Sequence, residues 1–189
     1  MTLAVKKRDC VFLVADGTMR AMFQAFLEPG YRCEKLGTGP FSFDAEQDLI
    51  LGGKNDPGVL KEAHLKLKGY LNTHEHAVVV LDAAFGHHLG AGEITALIER
   101  NLESVGWQRG AFAVLTIEPE LEVWLFQESP RAEDIIFRRC DPERRPRSLR
   151  HWLAGQGQWP DGAAKPPNPK EAVQRALRQF SPGRADMLI

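Results

Sequence analysis

Three acidic residues stand at the ends of apolar runs. Asp16 follows Cys10-Val11-Phe12-Leu13-Val14-Ala15, and Asp82 follows Ala77-Val78-Val79-Val80-Leu81. Glu118 follows Ala111-Phe112-Ala113-Val114-Leu115-Thr116-Ile117, with Glu120 and Glu122 close behind. Carboxylates gathered in one place repel one another and need a counter-charge, for which Mg²⁺ or Mn²⁺ is suited. A cation held in this way can polarise phosphate and activate water, and phosphotransfer sites usually need several carboxylates to hold their cations. The residue two positions after Asp82 is Ala84, so a carboxylate that would strengthen the site is missing there.

Each acid also has a structural use. Asp16 precedes Gly17, and Asp-Gly is a common turn pair that also caps helices. Asp82 could cap a turn, and Glu120 in a first helical turn favours the helix dipole. Lys165 and Lys170 flank Pro166-Pro167-Asn168-Pro169. The prolines hold an extended approach, from which both lysines could reach a phosphate or neutralise an acidic crevice. A solvated linker is the alternative. His87-His88 has no third ligand at zinc spacing. The chain has no Gly-x-Gly-x-x-Gly, Walker or Gly-x-Ser-x-Gly motif, so dinucleotide redox and serine-hydrolase chemistry have no support.

The elements that must position these residues follow from periodicity. Short apolar runs over 10–15, 77–82 and 111–117 read as strands buried on both faces, with 77–82 central. A further strand is expected over 31–36, and 41–51 can add an edge strand. Helical spacing is seen at Met19, Met22, Phe23, Phe26 and Leu27, and at Leu60, Ala63, Leu67 and Tyr70. It recurs at Ile94, Leu97, Ile98, Leu102 and Val105, ending near Gly106. Asp56 is expected to cap the helix that begins at Pro57. Pro119 is expected to start a helix that places Leu121, Trp124 and Leu125 in the core. Residues 148–153 read as a short helix, and a last amphipathic helix opens at Asn168-Pro169. This order predicts an α/β fold with a mainly parallel, Rossmann-like sheet, and ligands in such sheets bind at the carboxyl ends of the strands. Residues 1–130 form the α/β domain, with a basic, partly helical region at 131–189 packed on it.

The 189 residues carry a net charge of only −1, unevenly spread. From residue 131 onward there are 12 Lys/Arg against 7 Asp/Glu, whereas residues 1–130 hold 12 against 18. Arg138, Arg139, Arg144, Arg145 and Arg147 concentrate the positive charge and are the candidates for nucleic-acid contact. A solvated Arg-rich loop is the alternative. Cys10, Cys33 and Cys140 are odd in number and widely spaced, which fits a reducing cytoplasm. No apolar run reaches transmembrane length, and residues 1–9 lack an apolar signal core, so neither a membrane span nor export is expected.

Taken together, four stretches resemble a family. They are Val14-Ala15-Asp16-Gly17-Thr18, the strand ending Val80-Leu81-Asp82, Glu118-Pro119-Glu120-Leu121-Glu122-Val123-Trp124-Leu125, and Lys165-Pro166-Pro167-Asn168-Pro169-Lys170-Glu171. These are similar to the small Toprim-like proteins of bacterial phage-defence islands, in particular the small subunit type of the methylation-associated defence system. The resemblance spans most of residues 10–180. It implies a Toprim-like sheet, partners among other defence proteins and DNA, and ancestral Mg²⁺-dependent phosphodiester cleavage. It places metal ligation on Asp16, Asp82 and Glu118, with Glu120 as a further acid and Lys165 or Lys170 stabilising phosphate charge. Asp16 stands where Glu is more usual in that family, and Ala84 replaces the second acid of an Asp-x-Asp pair. A non-catalytic binding or assembly subunit is therefore the alternative function.

Overall fold

The computed structural model describes residues 6–28, 39, 42–85, 88–126 and 130–180. The strand expected over 31–36, together with Cys33 and His87, lies outside them. The chain divides into two compact units between Glu118 and Pro119.

The first unit is a Rossmann-like α/β fold. Its strands are β1 (Arg8–Val14), β2 (Leu49–Leu51), β3 (His74–Asp82) and β4 (Phe112–Ile117). All pairings are parallel, in the spatial order β2-β1-β3-β4. The helices are α1 (Gly17–Leu27), the single turn α2 (Ala45–Asp48), α3 (Asn55–Lys68) and α4 (Ala91–Val105). The apolar runs form strands because both faces are covered: Val11, Leu13, Val14, Ala77, Val79, Val80 and Leu81 are fully buried. The ambiguous stretch 41–51 resolves into α2 and the short edge strand β2.

Helix α4 buries Ile94, Ile98 and Leu102, four residues apart, and Glu93 Oε2 accepts from the Gly90 N–H at 2.9 Å before its first turn. It ends where Gly106 takes φ +113°, a left-handed conformation that costs glycine little. The two faces of the sheet are told apart by two contacts. Phe23 of α1 meets Phe12 of β1, their ring centroids 6.2 Å apart. Thr95 of α4 meets Thr116 of β4 at 2.8 Å between hydroxyls, on the opposite face. Trp107 Nε1 donates to the Leu67 carbonyl and joins the ends of α3 and α4.

One boundary differs from expectation. Asp56 does not cap α3. The helix starts at Asn55, after Lys54 in a left-handed conformation with φ +59°. Gly53 and Asn55 also have positive φ, so the chain turns sharply from β2 into α3. This turn sits directly on the helix: a Cβ on Gly58 would lie 1.9 Å from the Gly53 carbonyl oxygen and 2.9 Å from Lys54 Cβ. Gly58→Ala is therefore expected to destabilise the chain by about 1–3 kcal/mol, as overpacking does. Gly17→Ala, where a Cβ meets nothing within 4 Å, is the control. Urea unfolding of the two variants measures the difference.

The second unit holds a 3₁₀ turn at Leu121–Phe126, then α5 (Pro130–Ile136), a 3₁₀ turn at Pro142–Arg144, α6 (Leu149–Gly155) and α7 (Pro169–Phe180). Edge-to-face aromatic pairs organise its core. Phe126 meets Trp159 with centroids 5.4 Å apart, and Phe180 meets Phe137 at 4.9 Å and Trp152 at 5.0 Å. Residues 119–126 pack here because Phe126 joins this core. The helix expected after Pro119 is a 3₁₀ turn, and Trp124 and Leu125 are exposed, at 37% and 38%, instead of buried. The turn buries Leu121 and Phe126 and leaves the two residues between them that were expected in the core, Trp124 and Leu125, facing solvent. Among the described residues no helix is long and apolar enough to cross a membrane.

Candidate functional site

The carboxyl rim of the sheet gathers the three strand-end acids. Val14 of β1 pairs with Val80 of β3, so Asp16 and Asp82 each lie two residues beyond a matched pair. Asp82 pairs with Ile117 of β4, and Glu118 is the next residue. Parallel strands send all their carboxyl ends the same way, so this shared placement follows directly from the topology.

Their local roles differ. Asp16 is the N-cap of α1: its Oδ1 accepts from the Met19 N–H at 2.8 Å, with extended backbone at φ −141°. The structural use of this residue is thus present. Asp82 is half-buried, and its N–H donates to Asp56 Oδ1 at 2.8 Å. Asp56, from the first turn of α3, is therefore a fourth acid at this rim. Sequence reasoning gave it to a helix cap, and no local signal distinguishes the two uses. Glu118 and Ala84 are exposed. Among the described residues no group of three or more His, Cys, Asp or Glu side chains is arranged to hold a metal ion. The rim thus does not fit a preformed cage. Its donors match only the sparser manner in which Mg²⁺ keeps most of its waters and takes one or two carboxylates.

The second unit contains the other predicted residues. Glu120 Oε1 accepts from the Lys170 backbone N–H at 2.7 Å. Glu120 therefore serves the first turn of α7, where helix N–H groups lack partners and an acid is favoured by the dipole. The contact uses the Lys170 main chain and leaves its ammonium exposed. Lys165 is half-buried and is followed by the buried Pro166. Arg138, Arg139, Arg144, Arg145 and Arg147 are all exposed. Arg145 also binds Asp134 Oδ1 at 2.7 Å and lies over the Phe137 ring, 5.4 Å from its centroid. Assigning residues 119–130 to this unit adds Glu120, Glu122 and Glu128, so positive charge is concentrated from residue 131 onward and does not extend over the whole unit.

A third polar cluster was not anticipated. At the amino edge of the sheet, Arg8 of β1 pairs in register with His74 of β3. Both reach Asp48, at the end of α2, which is 0% exposed. Arg8 donates to it from Nε and Nη2, His74 Nε2 lies 3.1 Å from Oδ1, and the Asp44 N–H donates to Oδ2 at 2.7 Å. Thr73 Oγ1 lies 2.9 Å from His74 Nδ1. Cys10 is near enough for burial, with the charges of Asp48 and Asp9, to push its thiol up to about 12, so it stays protonated. This cluster lies at the opposite end of the strands from the acidic rim and ties α2 to the two central strands.

A parallel, Rossmann-like α/β unit with acids along its carboxyl rim, followed by a helical unit bearing exposed arginines, is the class that fold and site define. In comparisons with protein-family models, curated proteins and solved structures, nothing matches this chain.

Proposed function

We propose that this chain is a binding component of a bacterial antiviral defence system. It acts with other proteins of that system in the cytoplasm, and its segment 131–189 contacts nucleic-acid phosphate. The motif resemblance supports the defence setting. The observation that carries the binding role is the exposure of all five arginines at 138, 139, 144, 145 and 147. Guanidinium groups suit phosphate because their planar forks donate two hydrogen bonds at once. Fluorescence anisotropy with duplex DNA tests the reading: binding is expected at low salt and weakens as salt rises. Absence of binding at low salt would overturn the nucleic-acid role and make the same arginines a protein-docking surface.

A second reading, Mg²⁺-dependent phosphodiester cleavage by a Toprim-like rim, is favoured by the shared rim position of Asp16, Asp82 and Glu118. The use of Asp16 as a cap and the alanine at position 84 leave Asp82, beside Asp56, as the main donor. Calorimetric titration with Mg²⁺ is expected to show weak binding that disappears in Asp82→Ala. Equal affinity in both proteins would remove the rim as a metal site.

A further inference from the structure

Among the described residues β4 has β3 on one side and no strand on the other. Free edges are usually guarded by a charge, a proline or a bulge, yet residues 110–117 contain no charged residue and no proline. The hydrogen bonds show which groups are turned outward. The Ala77 N–H donates to the Ala111 carbonyl, and the Ala83 N–H to the Ile117 carbonyl. Odd-numbered residues of β4 therefore direct their peptide groups at β3. By alternation Phe112, Val114 and Thr116 direct theirs away from β3, where no described strand lies. The side chains alternate as well. Thr116 faces α4, so Ala113 and Leu115 stand on the opposite face, where both are exposed, Leu115 at 41%.

We propose that two copies of this chain join along this edge. The β4 strands run antiparallel about a two-fold axis through Val114 and form one continuous sheet. The strand is complementary to itself in this register. Val114 faces Val114 of the second copy, and Phe112 faces Thr116, so every outward peptide group of each strand meets its counterpart. Leu115 then lies opposite Ala113 of the second copy, so the large exposed side chain covers the small one, twice by symmetry. A slide of two residues would set Phe112 against Glu118 or Thr116 against Gly110, depending on its direction, in either case beyond the end of the strand.

Light scattering after size-exclusion chromatography of the full chain, over a concentration series, tests this. The wild type is expected to have the mass of a dimer. Val114→Pro removes an outward N–H while sparing the ladder to β3, a placement that edge strands tolerate. It is expected to weaken association by about tenfold or more, through loss of the Val114 hydrogen bond in both copies. Leu115→Lys puts a charge on the exposed face and is expected to give a monomer with unchanged circular dichroism. Because Leu115 is already exposed, this variant decides the matter should Val114→Pro fail to fold. A wild type that is monomeric at every concentration, or a dimer that survives Leu115→Lys, would overturn the proposal.

Discussion

Asp48→Ala is expected to lower the stability of the chain by about 3–5 kcal/mol, the range found when one partner of a buried charge pair is removed. Asp48 is fully buried, His74 is 3% exposed, and the Arg8 side chain is 31% exposed. The alanine leaves the guanidinium, the imidazole and the Asp44 N–H without their acceptor at once. Against a typical domain stability of about 5–15 kcal/mol, a loss of this size brings unfolding within reach of mild denaturant. Denaturant titration followed by circular dichroism checks it, and a loss below about 1 kcal/mol would show that the cluster behaves as a solvated surface pair. Replacing both partners with apolar residues, Asp48→Leu with Arg8→Met, is expected to cost less than Asp48→Ala, because no charge is then left buried alone.

The same cluster sets an acid limit. Burial alone would push the Asp48 carboxyl up, but hydrogen bonds from Arg8, the Asp44 N–H and His74 outweigh it and hold the group below its ordinary value of 3.8. The unfolded chain therefore takes up this proton at a higher pH than the folded one. The stabilisation is fully present above 3.8 and is lost as pH falls through the lower folded value. Asp9 and Asp44 are lowered in the same direction, chiefly by hydrogen bonds from the Ser42 and Glu46 N–H groups. Unfolding measured against pH is thus expected to show a fall in this acid range that is shallower in Asp48→Ala.

Replacing Arg138, Arg139, Arg144, Arg145 and Arg147 with glutamine is expected to cut both the affinity for duplex DNA and its dependence on salt. Each phosphate contact contributes about 0.9 to the slope of log affinity against log salt. The five together should lower the slope by about 4, since the guanidinium of Arg145 is shared with Asp134 and Phe137. Between about 50 and 200 mM salt, a slope of that size alone is worth roughly two to three orders of magnitude in affinity. Anisotropy titrations of both proteins at several salt concentrations check it. An unchanged slope in the variant would move the contact surface away from residues 138–147.

How much was legible in advance depended on the range of the interaction involved. β1, β3, β4 and α4 were readable because each strand is an unbroken apolar run of strand length and the helix has an apolar stripe of period 3.6. Their parallel pairing then placed Asp16, Asp82 and Glu118 at one rim, since strand direction alone decides which end an acid occupies. The three residues of β2 were too short to have a period, and its partner strand at β1 supplied what its sequence lacked. Asp56 looked like a cap and is instead an acceptor for the Asp82 N–H, because the left-handed turn at residues 53–55 starts the helix earlier.

By itself, then, the sequence determined the α/β class, the central position of residues 77–82, the rim acids and the gathering of arginines after residue 131. All of these depend on residue type and local order. Only the tertiary structure decided that Trp124 faces solvent, that Glu120 serves α7, and that Asp48 is buried between Arg8 and His74. A carboxylate preceding an apolar run gives no local sign that a guanidinium forty residues earlier and an imidazole twenty-six residues later will close around it. Such a buried charge is stable only when all of its partners arrive together, and their arrival is a property of the folded sheet.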